Sequence, residues 1–177
     1  MTRRPGPTIM TSTPLLPKRV VLNPGDFHFG AAPMRLATLL GSCVTVTLWH
    51  PRRHIGGMCH ILLPSRGGCP GGAPLDGHYA DEAFILFDRA LFKHASQPGE
   101  YQAKLFGGGD MFPNASTRTN LGEQNIIMAR ALLKQRNIPL LAEHAGGSGH
   151  RKLVFDLDTG EVQLYFANLN KALRGDS

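Results

Sequence analysis

Cysteine is scarce in this chain. Cys43, Cys59 and Cys69 are its three thiols among 177 residues, an odd number without a paired Cys-x-x-Cys. This excludes a disulfide framework and argues against a zinc module; with no secretion signal it indicates reduced thiols in the cytoplasm. Long apolar runs are also missing. Stretches such as Ile61-Leu62-Leu63 fall far short of the roughly 20 residues that span a bilayer, and no apolar core follows the N-terminal arginines, so neither a membrane span nor a secretion signal is expected. Acid is absent from the first twenty residues, where Arg3, Arg4, Lys18 and Arg19 supply four of the net +6. Pro5, Pro7, Pro14 and Pro17 bar helix and central strand there, and residues 1–22 are expected to be a mobile basic tail ahead of a single domain over 23–177. The rest of the chain is close to neutral and lacks an aromatic-basic motif, which discounts nucleic-acid binding. What is there, 42% hydrophobic and 18% charged residues, suits a soluble globular fold rather than a disordered or fibrous one.

Between Thr38 and Trp49 the chain reads as an approach, a Gly-Ser turn and a strand in which Val44, Val46 and Leu48 alternate with Thr45, Thr47 and Trp49. Ile55 to Leu63 is a second strand, able to pair with the first, and Gly56-Gly57 at its start allows close backbone approach. The Gly- and Pro-rich stretch Ser65 to Gly77 is a long surface loop. Ala80, Ala83, Phe84, Phe87 and Leu91 recur at helical spacing, and Asn120 with Glu123 forms a capping box for a second helix ended by Asn137 and Pro139. Gln102–Phe106 and Leu140–Ala145 read as strands, and Leu153–Leu157 with Val162–Phe166 as a hairpin closed by Asp158-Thr159-Gly160. Residues 172–177 read as a frayed end. The expected fold is an α+β sandwich of mixed and antiparallel β-sheet hairpins with about two packed amphipathic helices.

Chemistry concentrates at Cys43, in Leu40-Gly41-Ser42-Cys43-Val44, and at His60, seventeen residues later. A free thiol titrates near 8.5, so a neighbouring imidazole that takes its proton would hold it as a thiolate-imidazolium pair. The turn entering the strand leaves the backbone amides of Ser42 and Cys43, beside Gly41, as candidates to bind an oxyanion. A small buried thiol and a satisfied core histidine explain the same two residues without catalysis.

Five motifs in order separate these alternatives. Leu40-Gly41-Ser42-Cys43-Val44, Gly56-Gly57 with His60 and Leu63-Pro64, Lys104 with Phe106-Gly107-Gly108-Gly109 and Met111, Gly122 with Asn125, and Gly146-Gly147 with Arg151-Lys152 resemble the CheD family of chemoreceptor glutamine deamidases, over about Thr38 to Phe166. The resemblance places the family's nucleophilic cysteine on Cys43, its histidine on His60 and its threonine on Thr38; the family's Gly-Arg-Lys reads His150-Arg151-Lys152 here. It implies a cytoplasmic hydrolase that converts glutamine side chains of methyl-accepting chemotaxis receptors to glutamate with release of ammonia, without a cofactor. It also implies the receptors' cytoplasmic helical region as partner and, for some members, a CheC-type phosphatase. The rival reading is a non-catalytic adaptor that binds receptors or that phosphatase through the same surface.

Other features are expected to be structural. Cys59, adjacent to His60 on a strand, should face away from the site. Cys69 is an isolated loop thiol. Gly107-Gly108-Gly109 lacks the Gly-Lys-Ser/Thr ending of a phosphate loop and reads as a tight turn. Asp156 and Asp158 serve the hairpin turn, and His144, His150 and Arg151 form a solvated basic rim.

Overall fold

Thr45 and Thr47 alternate with Val44, Val46 and Leu48, yet they are as buried as their apolar neighbours. A strand with both faces buried must lie in a middle layer, and that position organises the molecule. The computed structural model describes residues 16–68, 73–111 and 120–168. In chain order these contain β1 (Lys18–Leu22), β2 (Phe27–Ala31), β3 (Met34–Leu40), β4 (Val44–His50), β5 (Ile55–Ile61), α1 (Ala80–Lys93), β6 (Gln102–Gly107), α2 (Leu121–Gln135), β7 (Leu140–Ala145), β8 (Gly149–Asp156) and β9 (Val162–Asn168).

The strands form a four-stranded sheet ordered β1-β3-β8-β9 and a five-stranded sheet ordered β2-β5-β4-β6-β7. β1 with β3 and β6 with β7 are parallel, and the other pairs are antiparallel. The result is the mixed α+β sandwich that the sequence leads one to expect. Leu36, Leu40, Met58, Phe106, Leu153 and Phe155 fill the space between the sheets. Val44, Val46, Leu48, Phe84, Phe87 and Leu133 fill the space between the five-stranded sheet and the helices. Truncating Phe84 or Phe87 to alanine would cost about 3–5 kcal/mol at such fully buried sites.

Both helices lie where their apolar spacing puts them. In α2 the Asn120 side chain caps the helix by accepting from the Glu123 amide at 3.3 Å, and its side-chain amide donates to the Glu123 carboxylate in place of the backbone bond of a full capping box; Asn137, at φ +53°, turns the chain out of the helix. Gly56 is required by close packing, because a Cβ there would stand 2.2 Å from the Leu48 carbonyl oxygen across the hairpin.

Two expectations need correction. Lys18–Leu22, assigned to the tail, form β1, an edge strand in parallel register with β3; an edge strand bonds on one side only, and Pro17 stands just before its first residue, where proline is tolerated. The stretch before the Gly-Ser turn, read as a mere approach, is a full strand, β3, and β2 precedes it. The described residues of the Ser65–Gly77 stretch form the expected loop, and Arg66 and Asp76 tie it to α1: Arg66 donates to Glu82 at 2.8 Å and the Asp76 amide donates to the same buried carboxylate at 2.8 Å. Cys69 and residues 172–177 lie outside the described residues.

Candidate active site

Strand alternation turns Leu36, Thr38 and Leu40 of β3 into the space between the sheets, and Met58 and His60 of β5 enter it from the opposite side. Thr38 and His60, 3% and 2% exposed, therefore meet across the sandwich, with Thr38 Oγ1 2.8 Å from His60 Nδ1. The Thr38 hydroxyl also lies 2.8 Å from the Leu22 carbonyl oxygen, to which it donates. That same oxygen is 3.4 Å from Nδ1. The His60 backbone is clamped by the segment after β1: Gly25 N–H donates to the His60 carbonyl at 2.8 Å and His60 N–H to the Asp26 carbonyl at 3.0 Å. The other ring nitrogen, Nε2, is buried and has no hydrogen-bond partner among the described residues, Cys43 included.

Gly41-Ser42-Cys43 crosses from β3 in one sheet to β4 in the other. Thr45 pairs with His60 and Val44 with Ile61, so Cys43, two residues before Thr45, falls on the His60 face of the sheet and diagonal to it. Such positions are about 7–8 Å apart and within reach of long side chains. Cys43 is half-buried and packs against the cluster between the sheets. Its carbonyl accepts from Gly108 N–H at 2.8 Å and the Gly41 carbonyl from Gly109 N–H at 2.9 Å. The amides of Ser42 and Cys43 donate to no backbone carbonyl among the described residues. The Gly41 and Cys43 carbonyls are thus engaged on one turn, and the Ser42 and Cys43 N–H groups are left without backbone acceptors.

Gly107 makes that engagement possible. It sits at φ +109°, and a Cβ would stand 2.1 Å from the Cys43 carbonyl oxygen. The expected tight turn is therefore the wall against which the Cys43 segment rests.

Burial dominates the electrostatics. It pushes the Cys43 thiol up, opposed by the nearby amide of the same residue. It also pulls His60 down, opposed by the Leu22 carbonyl and the Asp26 carboxylate. Both shifts favour uncharged forms. In direction they oppose the ion pair expected from residue types alone, because burial favours the thiol over the thiolate and the neutral imidazole over the imidazolium. Cys59 faces the helices, as expected; burial pushes its thiol up to about 12.

Arg151 is not on a solvated rim. It is 1% exposed, because it shares the inward phase of β8 with Leu153 and Phe155 and is the register partner of Leu40. That alternation is visible in the sequence, but the charge argues against reading it inward. The guanidinium donates from Nε to His144 Nδ1 at 2.8 Å and from Nη2 to the Gly146 carbonyl, and lies 4.5 Å above the Phe166 ring. Gly146 N–H in turn donates to the Gly107 carbonyl at 2.9 Å, so Arg151 braces the turn that supports Cys43. Asp156 serves the hairpin turn, accepting from Asp158 N–H at 2.9 Å, and also pairs with Arg35 at 2.8 Å.

The family model described as CheD chemotactic sensory transduction matches residues 62–165. That span begins after Thr38, Cys43 and His60, so the match carries the family and assigns no role to those three. The chain is 49% identical over 158 residues to a protein of Dechloromonas aromatica named "Probable chemoreceptor glutamine deamidase CheD 3", covering 89% of this chain and 92% of that one. It is 46% identical over 154 residues to the "Probable chemoreceptor glutamine deamidase CheD" of Pseudomonas savastanoi pv. phaseolicola, covering 85% and 86%. A relative in Geobacter sulfurreducens, "Probable chemoreceptor glutamine deamidase CheD 2", is 36% identical over 90% of this chain and 96% of its own. With more than half of its length matched by the family model and near-full-length relatives at these identities, the chain belongs to the CheD family.

Proposed function

We propose that this chain is a protein-glutamine deamidase acting on the cytoplasmic region of methyl-accepting chemotaxis receptors, with Cys43 as nucleophile, His60 as general base and acid, and Thr38 as the group that orients His60. One observation carries the catalytic part: a buried imidazole is held at Nδ1 by Thr38 at 2.8 Å, while Nε2 is left without a partner on the sheet face that bears Cys43. A non-catalytic adaptor has no use for that arrangement.

The chemistry follows from neutral groups. As the glutamine carboxamide enters, the Cys43 S–H proton passes to His60 Nε2 and the sulfur attacks the amide carbon. The oxygen becomes an oxyanion, received by the uncommitted amides of Ser42 and Cys43 beside Gly41. Collapse of the tetrahedral intermediate breaks the C–N bond, and the proton held on Nε2 leaves with the nitrogen as ammonia. A thioester remains on Cys43. Water then gives a proton to Nε2 and attacks the thioester carbon; glutamate departs, and the proton returns to the Cys43 sulfur. The geometry found without substrate, with no Sγ to Nε2 hydrogen bond, is common for catalytic contacts that tighten only in the complex.

Each step is a proton or acyl transfer that these side chains and water supply, so the reading calls for no cofactor. It places the chain in the cytoplasm, where the receptors' helical region is reached; no helix among the described residues is long and apolar enough to cross a membrane. A CheC-type phosphatase is a second partner on the same family reading. The test is ammonia release and site-resolved mass spectrometry on a receptor cytoplasmic fragment. Glutamine should gain about 1 Da as it becomes glutamate by the cysteine route; no conversion by the folded chain would sink the proposal.

A further inference from the structure

A histidine can act as a base toward a thiol only through a nitrogen that carries a lone pair, so the tautomer of His60 decides whether Nε2 can work on Cys43. Two oxygens face Nδ1, the Thr38 hydroxyl at 2.8 Å and the Leu22 carbonyl oxygen at 3.4 Å, and they stand 2.8 Å from each other. The carbonyl can only accept. The hydroxyl has one proton, and the contact between the two oxygens requires it to point at Leu22. Thr38 then faces Nδ1 with a lone pair, and Nδ1 must carry the ring proton. In the opposite assignment the hydroxyl donates to Nδ1, two oxygens confront each other at 2.8 Å without a proton, and the Nδ1 lone pair faces the carbonyl as well.

We propose that β1 is a working part of the site and that the Leu22 backbone carbonyl is the positioning group that fixes His60 as the Nδ1–H tautomer through Thr38. The carbonyl is held in place because Leu22 is the register partner of Thr38 in the parallel β1-β3 pair and its side chain, 3% exposed, is anchored between the sheets. The same stretch of chain goes on to clamp the His60 backbone through Gly25 and Asp26. Lys18 to Leu22, which composition assigns to a basic tail, thereby determines whether Nε2 presents a lone pair or a proton toward the nucleophile. The consequence for turnover rests on the deamidase reading; the tautomer itself does not.

The test is nitrogen-15 NMR of the imidazole of His60 in the full chain, together with the kinetics of two core variants. The wild type should show Nδ1 protonated and Nε2 carrying the lone pair. Leu22→Ala, which loosens the anchor of β1, should mix the tautomers and lower kcat about tenfold with little change in KM, as expected for a residue that acts through the base rather than on substrate binding. Leu157→Ala truncates the same inter-sheet cluster elsewhere and should keep both the tautomer and the turnover per folded molecule. A wild-type spectrum with the proton on Nε2 overturns the proposal, and so does a folded Leu22→Ala that keeps the wild-type tautomer and kcat. If Leu22→Ala does not fold, the wild-type spectrum decides. The predicted tautomer in a chain that releases no ammonia would support this proposal while overturning the deamidase reading.

Discussion

At the scale of single residues, the thiols separate by face. Cys43 and Cys59 both lie along the β4-β5 hairpin, but Cys43 shares the inter-sheet side with His60 and Cys59 packs under the helices. Cys43→Ala should therefore abolish ammonia release with the fold intact, whereas Cys59→Ala should cost about 1 kcal/mol of stability and leave turnover largely unchanged; activity assays paired with urea unfolding distinguish the two. The electrostatics sharpen a second expectation. Since burial raises Cys43 and lowers His60, iodoacetamide should modify Cys43 of the substrate-free chain only at a pH above that of an ordinary thiol. The acid limb of turnover should lie below the ordinary imidazole value of about 6.5, because a depressed pKa keeps the base neutral further into acid. An alkylation profile extending well below 8.5 would mean that the ion pair exists at rest after all.

At the scale of elements, the site depends on how turns and an edge strand hold these residues. Thr38→Val keeps the shape of β3 but removes the hydroxyl between Leu22 and His60, and should slow turnover by roughly one to two orders of magnitude, less than loss of Cys43 or His60; Thr38→Ser should retain most of the activity. Gly107→Ala places a Cβ against the Cys43 carbonyl in a left-handed conformation, and should cost about 1–3 kcal/mol and lower turnover by displacing the Cys43 segment. Helices and hairpins were legible in the sequence because each satisfies itself locally: the apolar period of α1, the Asn120 cap of α2, the turn between β8 and β9. Cys43 and His60 were legible through motif order, and their shared face follows from hairpin register. β1 was not legible, since a strand with charge at its start and prolines before it is held at the sheet edge only by its pairing with β3. Arg151 escaped for a related reason: only the folded chain brings His144, Gly146 and Phe166 around its guanidinium.

For the whole molecule, the sandwich buries Thr38 and His60, and that has a pH signature. The folded state depresses His60, whereas the unfolded chain takes up a proton near 6.5. Below that pH the unfolded state binds more protons, so stability is fully present above about 6.5 and declines as pH falls toward the depressed folded value. His28, also lowered by burial, acts in the same direction. Urea midpoints at about pH 5 and about pH 7.5 should differ more for the wild type than for His60→Gln, and equal differences would show that the buried imidazole does not contribute. Covalent deamidation through Cys43 can be trapped by mass spectrometry of a receptor cytoplasmic fragment incubated with the chain and hydroxylamine, a nucleophile that intercepts a thioester. A glutamyl hydroxamate is expected at the same glutamines that otherwise become glutamate, and neither product with Cys43→Ala. Glutamate formed by Cys43→Ala at the wild-type rate, with no hydroxamate from either protein, would contradict the covalent route.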